Sequence, residues 1–376
     1  MEKNQIYIKG GTEYKEMTRE LLDVCDLAGL IGNRKARIGI KPNLVSPTVA
    51  SYGGTTHPEV VAGILEYLQE HGFTNLIMME GSWVGDRTSE AYEICGYKDL
   101  SEKYGVPFID AQKEKAVSRD CAGMRLNLCA CVENIDFLIN VPVLKGHCQT
   151  KITCALKNMK GLIPNSEKRR FHSLGLHKPI AHLGVGIRQD FIVVDNICGD
   201  LDFEDGGHPV VMNRILAGRD PVLMDAYVCQ MMHYDVSEVP YVTMAEKLGA
   251  GCADISRADI CTCDKKEVEP VPKSRKVVEL QDAVEEVESC SACYGYLLPA
   301  LDMLREEGLF EKLDEKICIG QGWRGKTGEL GIGHCTVKFR HHLEGCPPTE
   351  QQIYEFLKNY IELSGQPSQN SPTLHL

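Results

Sequence analysis

Apolar positions along the chain fall into two kinds of pattern. Short continuous runs occur at 5–8, 37–40, 75–79, 106–109, 137–141 and 191–194. Runs of this length read as strands buried on both faces. Between them, apolar residues return every three or four positions at 14–28, 58–71, 89–95, 99–104, 150–159, 220–233 and 240–248, which predicts amphipathic helices. Several helices carry end signals. Pro58 suits a first turn and Gly72 follows a last one. Asp220-Pro221 supplies an N-cap and a first-turn proline. Residues 125–132 alternate and read as a hairpin-like insert, and 202–208 as loop. Strands alternating with helices imply an α/β fold with a mostly parallel sheet and flanking helices.

The pattern also divides the chain. Residues 1–263 form the α/β domain, and 264–284 are charged, hold two prolines and read as a linker. Residues 285–363 form a smaller C-terminal α/β unit. The tail, 364–376, is polar and expected to be disordered. There is no internal repeat.

Polar residues cluster where the predicted strands end: Lys41 and Asn43, Glu80 and Ser82, Lys145 and His147, and Asp195. Parallel sheets bind ligands beyond those carboxyl ends. Residues 136–164 are central. After the apolar run come Lys145-Gly146-His147 and then the 150–159 helix. Ile152, Ala155, Leu156 and Met159 would share one face of it, with Lys151, Cys154, Lys157 and Asn158 on the other. On one reading these lysines are only the wet face of an amphipathic helix. On the other, the first helical turn and the lysines seat an anion. The second reading gives His147 as acid/base, with Lys145, Lys151 and Asp195 beside it. Lys41, Asn43, Lys157, Asn158 and Lys160 then hold the substrate.

Net charge, −12, argues against nucleic acid, and the single short basic run Lys168-Arg169-Arg170 reads as solvated loop. No apolar segment reaches ~18 residues, so no membrane span is expected. The N-terminal residues lack the apolar core of a signal peptide, which points to the cytoplasm. The cysteine count changes the picture most. Seventeen thiols without an export signal fit a reducing, anaerobic cytoplasm rather than a disulfide framework. What Cys121, Cys129, Cys131, Cys261 or Cys263 bind, if anything, is left open.

The C-terminal unit holds Cys290-x-x-Cys293, then Cys335 and Cys346, the last followed by two prolines. A C-x-x-C pair puts two thiolates within reach of one metal or cluster, and two further cysteines complete four-sulfur ligation. Cys318 lies in an apolar run and belongs to a core strand. Glycines 328, 331 and 333 allow close backbone approach to the sulfurs, and Thr349-x-x-Gln352 is a capping box. The set favours a [4Fe–4S] cluster, because a zinc ribbon would show two C-x-x-C knuckles; structural Zn remains the alternative. Gly320 to Thr327 formally matches a phosphate-binding loop, but glycines follow where that motif needs a helix.

The segments KPNLV at 41–45, THPEVV at 56–61, EGS at 80–82, INVPVLKGHCQTKITCALKNMKGLIP at 139–164, VVDNICGD at 193–200 and ILAGRDPVLMDA at 215–226 occur in order. In these the chain resembles the domain-of-unknown-function 362 family, whose members are often linked to iron–sulfur modules. The C-terminal cysteine segment is similar to an extension found in part of that family. The resemblance implies a cluster-bearing α/β protein and brings no established reaction. Two functions follow. One is an iron–sulfur oxidoreductase or lyase acting on a small anionic substrate. The other is a non-catalytic carrier or redox sensor, or a zinc-stapled ligand-binding protein. Expected partners are that substrate, an electron-transfer protein and a second copy of the chain; nucleic acid and membrane are not expected.

Overall fold

The apolar runs assemble as one sheet. In a computed structural model that describes residues 1–264, 270–274 and 276–364, the chain splits into two compact units, Met1–Lys273 and Ser274–Leu376. In the first unit the strands β1 (Gln5–Gly10), β2 (Ile38–Pro42), β3 (Leu76–Glu80) and β4 (Phe108–Asp110) are followed by a hairpin, β5 (Ala116–Cys121) and β6 (Met124–Cys129). Next come β7 (Phe137–Val141), the short ribbon β8 (Lys145–His147) and β9 (Lys151–Thr153), then β10 (Phe191–Asp200), β11 (Pro209–Gly218) and β12 (Asp259–Thr262). The main sheet runs β12-β1-β11-β10-β7-β2-β3-β4. From β10 to β4 every pairing is parallel, while β11 runs antiparallel to both its neighbours. The α/β expectation holds.

Helices cover both faces. α1 (Tyr14–Val24), α2 (Leu27–Ile31), α3 (Pro58–Glu70), α4 (Thr88–Ile94) and α5 (Tyr97–Tyr104) precede the ribbon. After it come α6 (Ala155–Asn158), α7 (Asn165–Ser173), α8 (His177–Gly186), α9 (Pro221–Met231) and α10 (Pro240–Lys247). Strand side chains alternate between two cores. Ile38, Ile40, Ile139, Phe191 and Val193 pack with α1 and α3. Leu138, Ile192 and Val194 pack with α6, α8 and α9.

The second unit contains α11 (Lys276–Gln281), β13 (Val284–Glu286), α12 (Ser291–Glu306), β14 (Ile317–Ile319), β15 (Leu330–Ile332), β16 (His341–Leu343) and α13 (Glu350–Ser364). Its four strands are parallel and lie in sequence order. The segment read as linker therefore includes α11 and the start of β13, while 265–269 and 275 lie outside the described residues. So does the tail from 365 onward.

Four sequence expectations need correction. The 150–159 helix starts only at Ala155. Lys151 has φ +65°, in the left-handed region, and closes the β8–β9 ribbon instead. Strand β11 carries no strand signal in the sequence. Its first five residues alternate between exposed and half-buried, and only its last five are fully buried. The hairpin is longer than its apolar half, since β5 exposes alternate residues. Helices α7 and α8 are hidden by charge in one case and by Gly and Pro in the other.

Helix α6 is a single turn and is stabilised from outside. The Asp225 carboxylate on α9 accepts from Ala155 N at 2.7 Å and Leu156 N at 3.1 Å. Thus the first-turn N–H groups proposed as an anion seat are already capped by protein. Burial pushes the Asp225 carboxyl up to about 7. Asp225→Ala leaves two buried amides without acceptors and should lower unfolding free energy by about 1–3 kcal/mol in urea titrations. Asp225→Asn, which keeps an acceptor, should recover part of the loss. An unchanged midpoint in the alanine variant would show that α6 does not depend on this cap.

Candidate functional site

The site is built around Lys41. Because Ile38 and Ile40 point into the α1–α3 core, Lys41 points to the other face, and Asn140 lies beside it on β7 in register. Lys41 is 1 % exposed. Its ammonium donates to Glu80 at the end of β3, to Asn158 Oδ1 at 2.9 Å and to Pro42 O at 2.9 Å. Glu80 also accepts from Leu44 N at 3.2 Å and Gly81 N at 2.7 Å. Asn158 Oδ1 accepts from Asn43 Nδ2 at 3.0 Å, and Asn158 Nδ2 donates to Asn140 Oδ1 at 2.7 Å. Gly161 lies directly over the Lys41–Glu80 pair, where a Cβ would collide with both side chains. Burial lowers the Lys41 pKa, with Glu80 opposing. Lys41, Asn43 and Asn158, expected to hold substrate, thus come together but satisfy one another.

A second layer surrounds Glu204, in the 202–208 loop. Lys145, fully buried, donates to Asn43 Oδ1 at 3.3 Å and to the carbonyls of Gly54 and Glu204. All three partners are neutral. Burial pushes this ammonium down to about 7, against the pull of the Glu204 carboxylate. Lys157 pairs with Glu204 Oε1. His147 Nδ1 accepts from Gln149 N at 2.9 Å and Thr150 N at 3.1 Å, so the ring proton belongs on Nε2. That atom lies 2.9 Å from Glu204 Oε2. Burial drives His147 down to about 4, so the imidazole is neutral at pH 7. Burial alone would raise Glu204, but the surrounding positive charge holds it well below the usual carboxylate range.

Lys160 differs from its neighbours. It lies half-buried among Lys157, Glu204 and Lys168, and no protein acceptor takes its ammonium among the described residues. Burial and Lys157 push it down to about 7. Lys168, read as solvated loop, is in fact buried on α7 and donates to Gly81 O at 2.9 Å and Ser82 O at 2.6 Å. Arg169 and Arg170 stay exposed, because consecutive helical residues face different directions. Buried His172, on the same helix, neighbours Lys160 and His147 and was also missed. Five lysines, Lys41, Lys145, Lys157, Lys160 and Lys168, thus gather around two carboxylates, Glu80 and Glu204. Such an excess of buried positive charge is costly unless protons leave or an anion arrives.

Two expected members lie elsewhere. Lys151 turns outward, pairs with Glu238 at 2.7 Å and lies over the Tyr234 ring. Its left-handed backbone carries it off the helical face the sequence suggested. Asp195 follows the parity of Phe191 and Val193 and so points to the opposite face from Lys41. It accepts from His57 N at 2.7 Å and contacts His57 Nδ1 at 2.9 Å, fixing the start of α3.

In the second unit, all four expected cysteines lie beyond the carboxyl ends of parallel strands. Cys290 and Cys293 follow β13 and open α12, Cys335 follows β15, and Cys346 follows β16. Burial and then the neighbouring Cys290, Cys346 and Cys335 raise the Cys293 thiol, so the four form one electrostatic group. Arg324, beyond β14, donates from Nε to Cys335 Sγ at 3.5 Å and is also attracted to Cys290 and Cys346. Gln321 Nε2 lies 3.8 Å from Cys290 Sγ. Gly333 is the glycine that comes close to a sulfur, while Gly328 and Gly331 make room for Phe339 and Thr336. Cys318 is buried in β14, as expected. Thr349 and Gln352 exchange capping bonds before α13. No helix starts at Lys326, whose ammonium lies over Trp323, so the 320–327 stretch lacks the geometry of a phosphate-binding loop.

A family model described as "Domain of unknown function (DUF362)" matches residues 38–230. A thylakoid-associated protein of Synechocystis sp. is 24% identical over 220 residues, covering 57% of this chain and 68% of that protein. Among solved structures, the lactate racemase apoprotein from Thermoanaerobacterium thermosaccharolyticum is 14% identical with a TM-score of 0.42, covering 62% of this chain and 57% of that one. A Thermotoga maritima protein is 12% identical with a TM-score of 0.35, covering 66% and 60%. No helix among the described residues is long and apolar enough to cross a membrane.

The lysine cluster should bind a small oxyanion in a pH-dependent way. Lys145 and Lys160 carry their protons below about 7 and lose them above it. Sulfate, whose charge is constant near neutrality, should therefore bind more tightly at pH 6 than at pH 8.5 in calorimetric titrations. Lys160→Ala should weaken it by roughly tenfold or more, the scale of one hydrogen bond to a charged group. Equal affinity in wild type and variant would remove Lys160 from the site.

Proposed function

This chain belongs to the DUF362 family, and we propose that it is an iron–sulfur enzyme of the anaerobic cytoplasm that acts on a small anionic substrate. The observation that carries the cluster assignment is the gathering of Cys290, Cys293, Cys335 and Cys346 beyond three strands of one parallel sheet. Four thiolates fit a [4Fe–4S] cluster, one per iron corner; a structural Zn²⁺, the alternative, takes the same four donors. Arg324 offsets the negative charge of such a centre. When bound, the cluster would supply single-electron or Lewis-acid chemistry.

The chain's own residues define what the first unit does. Lys160 and Lys157 hold a carboxylate or phosphate as point charges. His147, neutral with its proton on Nε2 beside Glu204 Oε2, is the candidate acid/base. Lys41, Glu80, Asn140 and Asn158 form the scaffold that keeps these groups in place. The carrier reading draws on one observation, the exposed Cys346. An exposed corner of a cluster favours electron exchange with a protein partner.

Anaerobic purification tests the assignment. About four irons and four sulfides per chain, with a broad absorption band at roughly 400 nm, are expected. Cys335→Ala and Cys293→Ala should lose most of the iron while the first unit keeps its sulfate affinity. Colourless protein with one zinc per chain would overturn the cluster and leave the anion site standing.

A further inference from the structure

The edge of the first unit's sheet opposite the lysine cluster holds a cavity of about 380 Å³. It lies where the chain enters β10 and leaves β11, and is bordered by Lys3, Arg188, Gln189, Asp190, Arg219 and Asp220. Which way Gln189 faces is decided far away, by Lys41. An ammonium can only donate, so Asn158 must turn Oδ1 toward it, at 2.9 Å. Asn158 Nδ2 is then left to donate to Asn140 Oδ1, at 2.7 Å. Asn140 Nδ2 in turn donates to Gln189 Oε1, at 2.6 Å. The last amide group in this series, Gln189 Nε2, has no partner among the described residues, although Gln189 is 7 % exposed. A buried donor left this way is costly unless something accepts from it.

The charges around the cavity do not cancel. Asp190 is paired with Arg188 and also accepts from Leu138 N at 2.9 Å. Asp220 accepts from Val222 N, Leu223 N and Cys252 N at 2.9–3.0 Å, so its charge is committed to the start of α9. Among the described residues Arg219 makes one bond, from Nη1 to Met1 O at 3.0 Å, and keeps other donors. Lys3 makes no ion pair among the described residues, although Asp220 feels its charge. Two cations therefore remain, against a phosphoryl group that carries about −1.5 to −2.

We propose that this cavity is a second ligand site, separate from the lysine cluster, and that it takes a small organic phosphate monoester. Arg219 and Lys3 hold the phosphoryl group at the mouth. Gln189 Nε2 donates to a hydroxyl or carbonyl oxygen of the organic part. A volume of this size suits a small metabolite and exceeds what inorganic phosphate alone would fill.

Calorimetric titration of the full chain with glycerol 3-phosphate and, separately, with inorganic phosphate tests this. Glycerol 3-phosphate should bind the wild type, and Arg219→Ala or Lys3→Ala should weaken it about tenfold or more. Lys160→Ala should leave a saturable site of unchanged affinity. Gln189→Leu should weaken glycerol 3-phosphate while sparing inorganic phosphate. Absence of saturable binding at millimolar concentration would overturn the proposal. So would loss of binding in Lys160→Ala with none in Arg219→Ala, since the phosphate would then occupy the lysine cluster.

Discussion

The first unit depends on one buried ammonium that can only donate. Lys41 sits at the carboxyl end of a central strand, and its contacts reach β3 through Glu80, the 158–161 turn through Asn158, and β7 through Asn140. Removing one partner of such a pair strands a charge in a low-dielectric interior, a loss of several kcal/mol. The pair also fixes orientation. Each amide in turn has only one way to face once Lys41 is placed, so an otherwise ambiguous set of Asn and Gln side chains acquires a single arrangement. Gly161 is part of the same constraint, because only a residue without Cβ can cross above the ion pair.

Around this scaffold the balance of charge is deliberately uneven. Hydrophobic burial and hydrogen bonding can hold a neutral polar network in place, but they cannot neutralise five lysines with two carboxylates. The molecule answers by different means at different positions. Lys41 and Lys157 keep carboxylate partners, Lys145 and Lys168 are caged by carbonyls, and Lys160 has neither among the described residues. Only the last is placed to change partners without breaking the fold. That separates residues that build the crevice from the residue that meets what enters it.

How much of this was legible depends on whether a residue's role is set by its own element or by a distant one. Lys41, Glu80, Lys145 and His147 were found because each ends or follows a strand, and strands declare themselves as apolar runs. Asp195 met the same criterion and failed it by parity, since one residue along a strand exchanges one face of the sheet for the other. Lys151 failed because a left-handed residue broke a helix that periodicity alone supported. Glu204, Lys168 and His172 left no local signal. Glu204 sits in a Gly- and Asp-rich loop, and the Lys168-Arg169-Arg170 run reads as solvated; their burial comes from chain segments folded over them. The cysteine set rests on local C-x-x-C spacing, and all four residues lie beyond strand ends of one small unit.

The same topological rule operates in both units. Parallel strands end at one edge, so the loops that follow them converge without needing contacts between themselves. In the first unit, polar groups from those loops need burial to become useful, and they acquire shifted proton affinities in exchange. In the second, the strands are only three residues long and the segments that follow them carry thiols that are brought together. Three of the four cysteines are only half-buried and the fourth is exposed, while Cys318, on a strand itself, is buried and left out of the group. Position relative to the strand end therefore separates the four thiols that share one electrostatic environment from the one that packs in the core.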